Sequence, residues 1–584
     1  MSHKIHQLVF KEIPVFSLIT VVLLGIFFRW ANLSGKVFWV DEVATAVRVS
    51  GYTITEVTSN LLQQDLIERD TLLFYQTLTS ERTLGDSLNA LTKSPEHAPL
   101  YFLLTRFWLQ WWGNSLAIMR SLSVCFSLLI LPCLYWLCQE LFQRSQISWL
   151  SVGMMSISPF YVAYAQEARP YSLWTVTILL MGASFFRAIR LNSKLAWFLH
   201  SFCLVIGFYT SLFSIYVALF QSLYLLSKIT KQQLTIIKNY LIFSVVALLA
   251  FAPWIWVIIN QLDLLQDNTS WMRGNFNLAD IIAVYIGTNL LIFGDLPLSE
   301  NSNPIQIAIA LVVIVISLLA GIKFYPRWQN KLLKFNLLLL ISSFVFLLTK
   351  YIYLDWTTII GALVAIGILS LSAYSLYYLI IKTNRDRWLY IICLMLSLPL
   401  PLLVADIINQ GQSSTAPRYL IPLQLGILIA VAYTVASKLD SQQRKFWQLT
   451  IIAFLILSTF SNVRNLNLSP FYQKGRNINN LAIAKIINQS SSALVIVEST
   501  EAMDAISLAY SLAPEIKYKV ITSKENLTLY LDKFESVFLL KPSKELQQRL
   551  NRDPQIKLHQ VYKSRVFSAN EFPLNLWSIE RVRN

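Results

Sequence analysis

The sequence predicts a polytopic α-helical membrane protein, with about 13 transmembrane helices and a small C-terminal α/β extracytoplasmic domain. Of its 584 residues, 55% are apolar and only 14% are charged, whereas globular domains carry about 25% charged residues. Apolar runs of roughly 20 residues, long enough to cross a bilayer, recur along the first three quarters of the chain. After Phe460 the composition becomes more charged, with short strand-like runs. These observations exclude a wholly soluble enzyme.

The order of spans follows from apolar runs and flanking charges. Residues 13–28 form the first predicted span, and Lys4 and Lys11 before it place the N-terminus in the cytoplasm. Later connections alternate between basic and acidic or neutral, which puts the C-terminus outside. The other predicted spans are 118–139, 147–164, 171–187, 195–210, 212–227, 239–259, 304–322, 333–349, 357–381, 388–405, 419–437 and 446–462.

The predicted domains are a membrane domain, 1–465, and a C-terminal domain, 466–584. The membrane domain includes a first extracytoplasmic loop, 31–117, with interfacial helices. Two short apolar runs do not fit as spans: the Trp-rich run 99–112 predicts an interfacial helix, and 281–293 an interfacial or re-entrant one.

The C-terminal domain alternates predicted strands with predicted helices, which is typical of an α/β unit. The predicted strands are Ala493–Glu498, Lys519–Thr522, Ser536–Leu540 and Leu574–Ile579, and the predicted helices are 478–489 and 501–512. This segment has no glycine-rich phosphate-binding fingerprint. We expect it to cover or shape the outer face.

The distribution of charge indicates which kinds of partner the protein binds. The net charge of +16 comes from Lys and Arg concentrated in short connections between apolar runs, a pattern that sets membrane topology. We therefore predict membrane lipids, and no nucleic acid, as partners. All five cysteines fall in apolar runs, so they say nothing about the redox compartment.

Asp41 and Glu42 form the first candidate site. They follow the first span and its closing Arg29, near the predicted membrane boundary. Such a pair can be an ordinary solvated loop. Further polar clusters on the same predicted side favour function instead, because ionisable groups at membrane depth are costly and usually functional.

A second cluster, Glu96 and His97 followed by Tyr101, opens the run 99–112. Glu96 and His97 are candidates for a divalent metal, and His97 also for a phosphate. Two candidate ligands are weak evidence for a metal site, because most catalytic zinc sites have three protein ligands. Helix capping by an acidic group explains the pair equally well.

Two arginine clusters lie on the same predicted side. Glu167, Arg169 and Tyr171 stand in a tight outer turn between spans, while Arg418 and Tyr419 begin a late span. A guanidinium there can bind a phosphate bidentately, or it can simply reach to the interface. Together the clusters suit a substrate with an anionic head on a lipid tail. A carboxylate base would then activate a hydroxyl that attacks carbon beside a phosphate leaving group.

Four motifs carry a family resemblance: Trp-Val-Asp-Glu after the first span, Glu-His-Ala-Pro-Leu-Tyr, Gln-Glu-Ala-Arg-Pro-Tyr-Ser-Leu, and Pro-Arg-Tyr-Leu. In this order they resemble membrane glycosyltransferases of the GT-C class. The chain is most similar to bacterial family 39-like enzymes, related to protein O-mannosyltransferases and lipid A aminoarabinose transferases. The resemblance covers roughly residues 10–440.

The resemblance implies a GT-C fold in the plasma (inner) membrane and transfer of a sugar, usually with inversion. The donor would be a polyprenyl-phosphate sugar, and the acceptor a lipid, polysaccharide or protein outside the membrane. The implied catalytic residues are Asp41 as general base, Glu42 and Glu167. The implied substrate-binding residues are Glu96, His97, Tyr101, Arg169, Tyr171, Arg418 and Tyr419.

The chain also departs from the family pattern. Ser211 stands where many bacterial relatives have a histidine, so a divalent metal, with Glu96 as its candidate ligand, stays open and no cofactor is certain. His97 replaces a lysine of the aminoarabinose transferases, which argues against that substrate. Two other classes remain: a transporter or flippase of lipid-linked sugars, and a non-catalytic assembly factor. A transporter of this kind is expected to have internal repeats and polar residues near the membrane midplane. The sequence shows no convincing repeat, and its charged residues cluster at the predicted outer boundary.

Overall fold

The computed structural model describes residues 15–227, 234–295, 356–467, 476–564 (except 526, 528 and 529) and 574–582. Helices dominate. The helices up to the middle of the chain are α1 Val15–Trp30, α2 Val40–Val49, α3 Ile54–Leu62, α4 Arg69–Phe74, α5 Leu84–Thr92, α6 Leu100–Trp112, α7 Leu116–Phe142, α8 Ser145–Ile157, α9 Pro159–Ala165, α10 Tyr171–Leu191, α11 Lys194–Thr210, α12 Ser214–Leu226, α13 Leu234–Asn260, α14 Leu262–Asn268 and α15 Leu278–Phe293. Then follow α16 Trp356–Lys382, α17 Arg385–Leu396, α18 Pro399–Asn409, α19 Ile421–Leu439, α20 Arg444–Asn467, α21 Asn480–Ile487, α22 Ala502–Ala509 and α23 Lys544–Arg552.

Seven helical segments in the described part of the chain are long and apolar enough to cross a membrane. They are Leu116–Phe142, Tyr171–Leu191, Leu234–Asn260, Gly361–Lys382, Arg385–Asn409, Pro417–Leu439 and Arg444–Asn467. Shorter apolar helices are Ser17–Trp30, Lys194–Thr210, Ser214–Leu226 and Leu278–Phe293. The predicted multi-span helical fold class is confirmed. The predicted spans 304–322 and 333–349 lie outside the described residues, so the total of 13 stays a prediction.

One predicted span is two helices. The run 147–164 breaks at Ser158, whose extended backbone (ψ 119°) separates α8 from α9. Pro159 explains the break, since it has no N–H to continue the ladder and disfavours a helical conformation in the residue before it. Ser158 Oγ instead donates to the Ile292 carbonyl at 2.7 Å. This contact joins the break to the end of α15.

The two short apolar runs are helices, α6 and α15. Helix α6 buries Phe102 and Arg106 against the rest of the protein and leaves Trp111 and Trp112 exposed, at 76% and 63%. Helix α15 packs against α9, α16 and α19. Their positions relative to a membrane stay predictions.

The C-terminal part of the chain forms a six-stranded sheet of order β1-β3-β2-β4-β6-β5. Its strands are β1 Ile67–Glu68, β2 Ala493–Glu498, β3 Lys517–Ile521, β4 Ser536–Leu540, β5 Ile556–Tyr562 and β6 Leu576–Arg581. Strands β3, β2 and β4 run parallel, and the other pairs are antiparallel. The small α/β unit is therefore confirmed. Its predicted boundary at 465/466 stays a prediction; helix α20 ends at Asn467.

The sheet includes a strand from the first loop. Ile67 pairs with Tyr518 and Glu68 with Lys517, so β1 extends the C-terminal sheet from more than 400 residues away. Helix α22 also packs on α2 and α4. The α/β unit is consequently built onto the first loop, which positions both against the ends of the helical bundle.

Candidate active site

A cavity of about 900 Å³ lies where the first loop, the ends of the spans and the α/β unit meet. It brings together most of the residues predicted from the sequence. Those that line it are Asp41, Glu96, His97, Arg169, Tyr171, Arg418 and Tyr419. Sequence positions from 41 to 419 thus share one wall.

Asp41 lies in the first turn of α2, with its side chain 30% exposed. The positive end of a helix favours a carboxylate there. The Arg169 guanidinium approaches it, with Nη2 3.9 Å from Asp41 Oδ2. Arg169 Nη1 also donates to the Asp41 carbonyl at 3.2 Å and to Thr45 Oγ1 at 2.9 Å. Asp41 is therefore an accessible carboxylate whose backbone is fixed by the neighbouring cation.

Glu42 points the other way and is fully buried. Arg120 binds both of its oxygens, Nε to Oε1 at 2.8 Å and Nη2 to Oε2 at 2.7 Å. Arg120 further donates to the carbonyls of Leu33, Lys36 and Val37. The Glu42–Arg120 pair thus stabilises the conformation of the segment between α1 and α2. Glu42 does not line the cavity.

The Gln-Glu-Ala-Arg turn docks between α9 and α10 through three separate contacts. Gln166 Nε2 donates to the carbonyls of Phe28 and Ala31 at the end of α1, at 2.8 and 2.7 Å. The Ala168 N–H donates to Glu42 Oε1 at 2.8 Å. These three bonds hold the turn from which Arg169 reaches the cavity. Glu167 in the same turn is buried, 1% exposed, and does not line it.

Arg169 keeps donor capacity for a ligand. Its Nε is buried and has no hydrogen-bond partner in the described part of the chain, and the bond from Nη2 to Tyr171 Oη is long, at 3.5 Å. Burial lowers the pKa of Arg169, but the nearby Tyr171 and the Asp41 carboxylate together raise it by more, so the guanidinium is always charged. A buried, under-coordinated guanidinium is a strong anion-binding group.

Glu96 and His97 line the same cavity. Glu96 Oε1 lies 3.8 Å from Arg48 Nη2, and Glu96 Oε2 accepts from Asn268 Nδ2 at 3.0 Å. Burial, followed by the charges of Arg48, Arg169 and Arg418, lowers the pKa of His97 well below 6.5. His97 is therefore neutral at physiological pH, and it can donate or accept one hydrogen bond.

Arg418 faces the cavity with its guanidinium 5.5 Å from the Trp271 ring centre and 5.1 Å from that of Tyr419. Within the described residues the guanidinium makes no hydrogen bond. Cation–π contacts hold such a group in place while leaving its N–H donors available. Arg418 is thus a second candidate for the anionic head of a substrate.

Asp406 anchors the turn that precedes Arg418. This buried carboxylate at the end of α18 accepts from the N–H and Oγ of both Ser413 and Ser414, at 2.5–2.7 Å. Four bonds of this kind fix the turn rigidly. Sequence reasoning missed Asp406, although an acid in an apolar run was a signal for it.

Two further cations of the cavity wall were missed, Arg48 and Lys93. With Arg169 and Arg418 they set four positive side chains against the two carboxylates of Asp41 and Glu96. Arg48 lies seven residues after Asp41, which is two helical turns on the same face, and this spacing was the available signal. The described wall therefore carries an excess of positive charge suited to a phosphate.

Three predicted residues are not at the cavity surface: Glu42, Glu167 and Tyr101. Tyr101 is fully buried, and its hydroxyl pairs with Ser123 Oγ at 2.7 Å. The predicted direct contacts of these three residues with substrate receive no support from the geometry. Their roles stay predictions, and we assign them no chemical step.

The predicted metal ligand, Glu96, engages Arg48 and Asn268. Among the described residues, no three His, Cys, Asp or Glu side chains come together as a metal-binding set. The described residues therefore offer no three-residue ligand set for a metal ion, and we derive no step through one.

Residues 96–257 match the model of the dolichyl-phosphate-mannose-protein mannosyltransferase family. The predicted resemblance to GT-C membrane glycosyltransferases is thereby confirmed. The matched segment contains Glu96, His97 and Arg169 and lies between Asp41 and Arg418. No curated protein sequence matches the chain.

The solved structures that are similar to the chain include two with a bound polyprenyl or dolichol phosphate. One is ArnT from Cupriavidus metallidurans bound to undecaprenyl phosphate, with 12% identity, a TM-score of 0.40 and 97% of each chain covered. The other is the archaeal oligosaccharyltransferase AglB from Archaeoglobus fulgidus in complex with an inhibitory peptide and a dolichol-phosphate. It has 12% identity and a TM-score of 0.45, and covers 91% of this chain and 70% of AglB.

Proposed function

We propose that the protein is a glycosyltransferase that moves a sugar from a polyprenyl-phosphate-linked donor to an acceptor hydroxyl, with inversion. The observation that carries this proposal is the pairing of one accessible carboxylate, Asp41, with the cation-rich wall of the same cavity. A transfer of this kind needs both a base for the hydroxyl and positive charge for the leaving phosphate.

The proposed chemical step is a single displacement at the anomeric carbon. The acceptor hydroxyl oxygen forms a new bond to that carbon while the bond from carbon to the donor phosphate oxygen breaks. The bonding electrons leave with the phosphate, and the hydroxyl proton passes to the Asp41 carboxylate. Attack from the face opposite the phosphate inverts the configuration.

Arg169 and Arg418 are the proposed phosphate ligands. Both line the cavity, and Arg169 Nε lacks a partner among the described residues. Negative charge grows on the phosphate as its bond to the sugar breaks, so fixed guanidinium groups stabilise the transition state more than the ground state. In this scheme Glu96, His97, Tyr171 and Tyr419 contact the sugar and phosphate.

The proposed lipid part of the donor lies against the apolar side of the cavity. Trp174 from α10, Leu212 and Phe213 from the turn between α11 and α12, and Leu264 and Leu265 from α14 contribute this surface. An apolar wall next to an anion-binding wall suits a phosphate carried on a prenyl chain. The family match in residues 96–257 also supports a lipid-phosphate sugar.

We place the protein in the plasma (inner) membrane, with the N-terminus in the cytoplasm and the α/β unit outside. The alternation of basic and acidic connections along the chain supports this orientation. Asp41 would then act on the extracytoplasmic side. The acceptor is a lipid, polysaccharide or protein.

The test is transfer in proteoliposomes from a panel of radiolabelled polyprenyl-phosphate sugars, with and without a chelator. The proposal predicts that one donor is consumed and that its label reaches an added acceptor, with inverted anomeric configuration. Label that only crosses the bilayer on intact lipid would overturn the proposal in favour of a transporter. If no donor is consumed or moved, the proposal is also wrong.

A further inference from the structure

The N-terminus of α2, which carries Asp41, has an unusual cap. The N-cap residue Trp39 has no side-chain oxygen and makes no side-chain capping bond. The first N–H groups of a helix have no acceptor within the helix, so another group must satisfy them. Here the Val40 N–H donates to Asn477 Oδ1 at 2.9 Å. The missing cap comes from a residue 437 positions away.

A second side chain from the same region holds the residues just before Asp41. Ser507 Oγ in α22 donates to the Phe38 carbonyl at 2.6 Å. The Phe38 ring also meets Tyr510 edge to face, with ring centres 5.1 Å apart. The α/β unit therefore holds the backbone on the N-terminal side of Asp41 at two residues, Phe38 and Val40.

Both anchoring side chains are themselves fixed. Asn477 Nδ2 donates to Asp504 Oδ1 at 3.1 Å, and Asp504 in turn accepts from Arg476 Nε at 3.0 Å. Ser507 Oγ accepts from Asn480 Nδ2 at 3.0 Å. Asn477 and Ser507 are buried. Groups held in this way define one position for the segment they bind.

We propose that Asn477 and Ser507 are positioning residues of the active site, which hold Phe38 and Val40 so that the Asp41 carboxylate faces the substrate. The inference rests on the proposed function, because it takes Asp41 as the base. It makes the α/β unit a working part of the catalytic site, not only a cover over it. The Met503 side chain, which lines the cavity from the same helix as Ser507, agrees with this.

The test compares three single changes in the full-length protein: Asn477→Ala, Ser507→Ala and Ser543→Ala. Ser543→Ala is the matched control. It removes a hydroxyl of the same unit that caps α23 and bonds to Glu498, and this hydroxyl makes no hydrogen bond to Phe38 or Val40. We expect Asn477→Ala and Ser507→Ala to lower kcat by about 10- to 100-fold, since small displacements of a catalytic group cost that much. The KM for the donor should stay the same, and Ser543→Ala should leave both constants unchanged.

Hydrogen exchange separates positioning from general loss of structure. The Val40 amide should exchange faster in Asn477→Ala than in the wild type, while amides within β2 and β4 keep their rates. In Ser543→Ala the Val40 amide should keep its rate. If Asn477→Ala is poorly folded, the kcat of Ser507→Ala still tests the positioning role, because Ser507 holds Phe38 independently of Asn477.

The outcomes also distinguish this inference from the proposed function. If Asp41→Asn abolishes transfer while Asn477→Ala and Ser507→Ala keep wild-type kcat, the positioning role is wrong and the base assignment stands. If Asp41→Asn keeps full activity, the assignment of Asp41 as the general base in the proposed function is wrong. A fall of kcat in all three variants, including Ser543→Ala, would also overturn the positioning role.

Discussion

The Glu42 carboxylate and the Arg120 guanidinium form a two-bond ion pair that is completely shielded from solvent, at 2.7 and 2.8 Å. Asp41, the adjacent residue, keeps a side chain that is 30% exposed in the cavity. Two neighbouring acids thus have different environments. One belongs to the folded framework, and the other is available to a substrate.

Removing Arg120 should destabilise the protein strongly. In Arg120→Ala the Glu42 charge loses its partner in a buried site, which typically costs about 3–5 kcal/mol. We expect a fall of this size in the free energy of unfolding, measured by denaturant titration in detergent micelles. Arg581→Ala is the control, since Arg581 pairs with Asp532 and both side chains are exposed, at 45% and 64%. It should lose about 1 kcal/mol or less; equal losses in the two variants would contradict the structural role of the buried pair.

Removing the Arg418 side chain should weaken donor binding. A hydrogen bond to a charged group contributes about 1.5–3 kcal/mol, so Arg418→Ala should raise the donor KM by about 10- to 100-fold. The donor KM of Arg418→Lys should lie between those of the wild type and Arg418→Ala, because lysine keeps the charge but not the planar stacking on Trp271 and Tyr419. The measurement is initial transfer rate against donor concentration.

The control for Arg418 is Arg385→Ala. Arg385 is exposed at the start of α17 and does not line the cavity. Its loss removes the same side chain from the surface and should leave the donor KM unchanged. Unaltered kcat and KM in Arg418→Ala would show that the phosphate binds elsewhere.

The lowered pKa of His97 predicts a specific dependence of stability on pH. The unfolded chain takes up a proton near pH 6.5, whereas the folded protein does so only at lower pH. The contribution of His97 to stability is thus fully present above pH 6.5 and is lost as the pH falls from there toward the folded pKa. The thermal midpoint should fall less between about pH 7.5 and about pH 5.5 in His97→Gln than in the wild type. Parallel falls in the two proteins would contradict a neutral, partly buried His97.

The fold could be predicted as far as local patterns reach. Strands β2 and β4 have the bounds predicted from their apolar runs, 493–498 and 536–540. Strand β5 was missed because it is an edge strand whose side chains are mostly exposed. Strand β1 was missed because it has only two residues and pairs with a distant part of the chain. Neither leaves a periodic apolar signal.

The site was predictable where a polar residue stood out from apolar neighbours, as Arg169 and Arg418 do. Glu42 shows the limit of this reasoning. Its adjacency to Asp41 suggested a shared role, but successive residues of a helix point about 100° apart, and α2 includes both. Which acid faces the cavity depends on the helix's rotation, which distant contacts such as Arg120 determine.

The central claim is that Asp41 takes the proton from the acceptor hydroxyl. The direct measurement is the rate of transfer by Asp41→Asn in proteoliposomes with the active donor, beside Asp70→Asn, which changes an acid of the same loop that is 83% exposed. We predict that kcat falls by about 10²- to 10⁴-fold in Asp41→Asn, as expected for loss of a general base, with normal folding and donor KM. Asp70→Asn should behave as the wild type. Wild-type kcat in Asp41→Asn would contradict the claim.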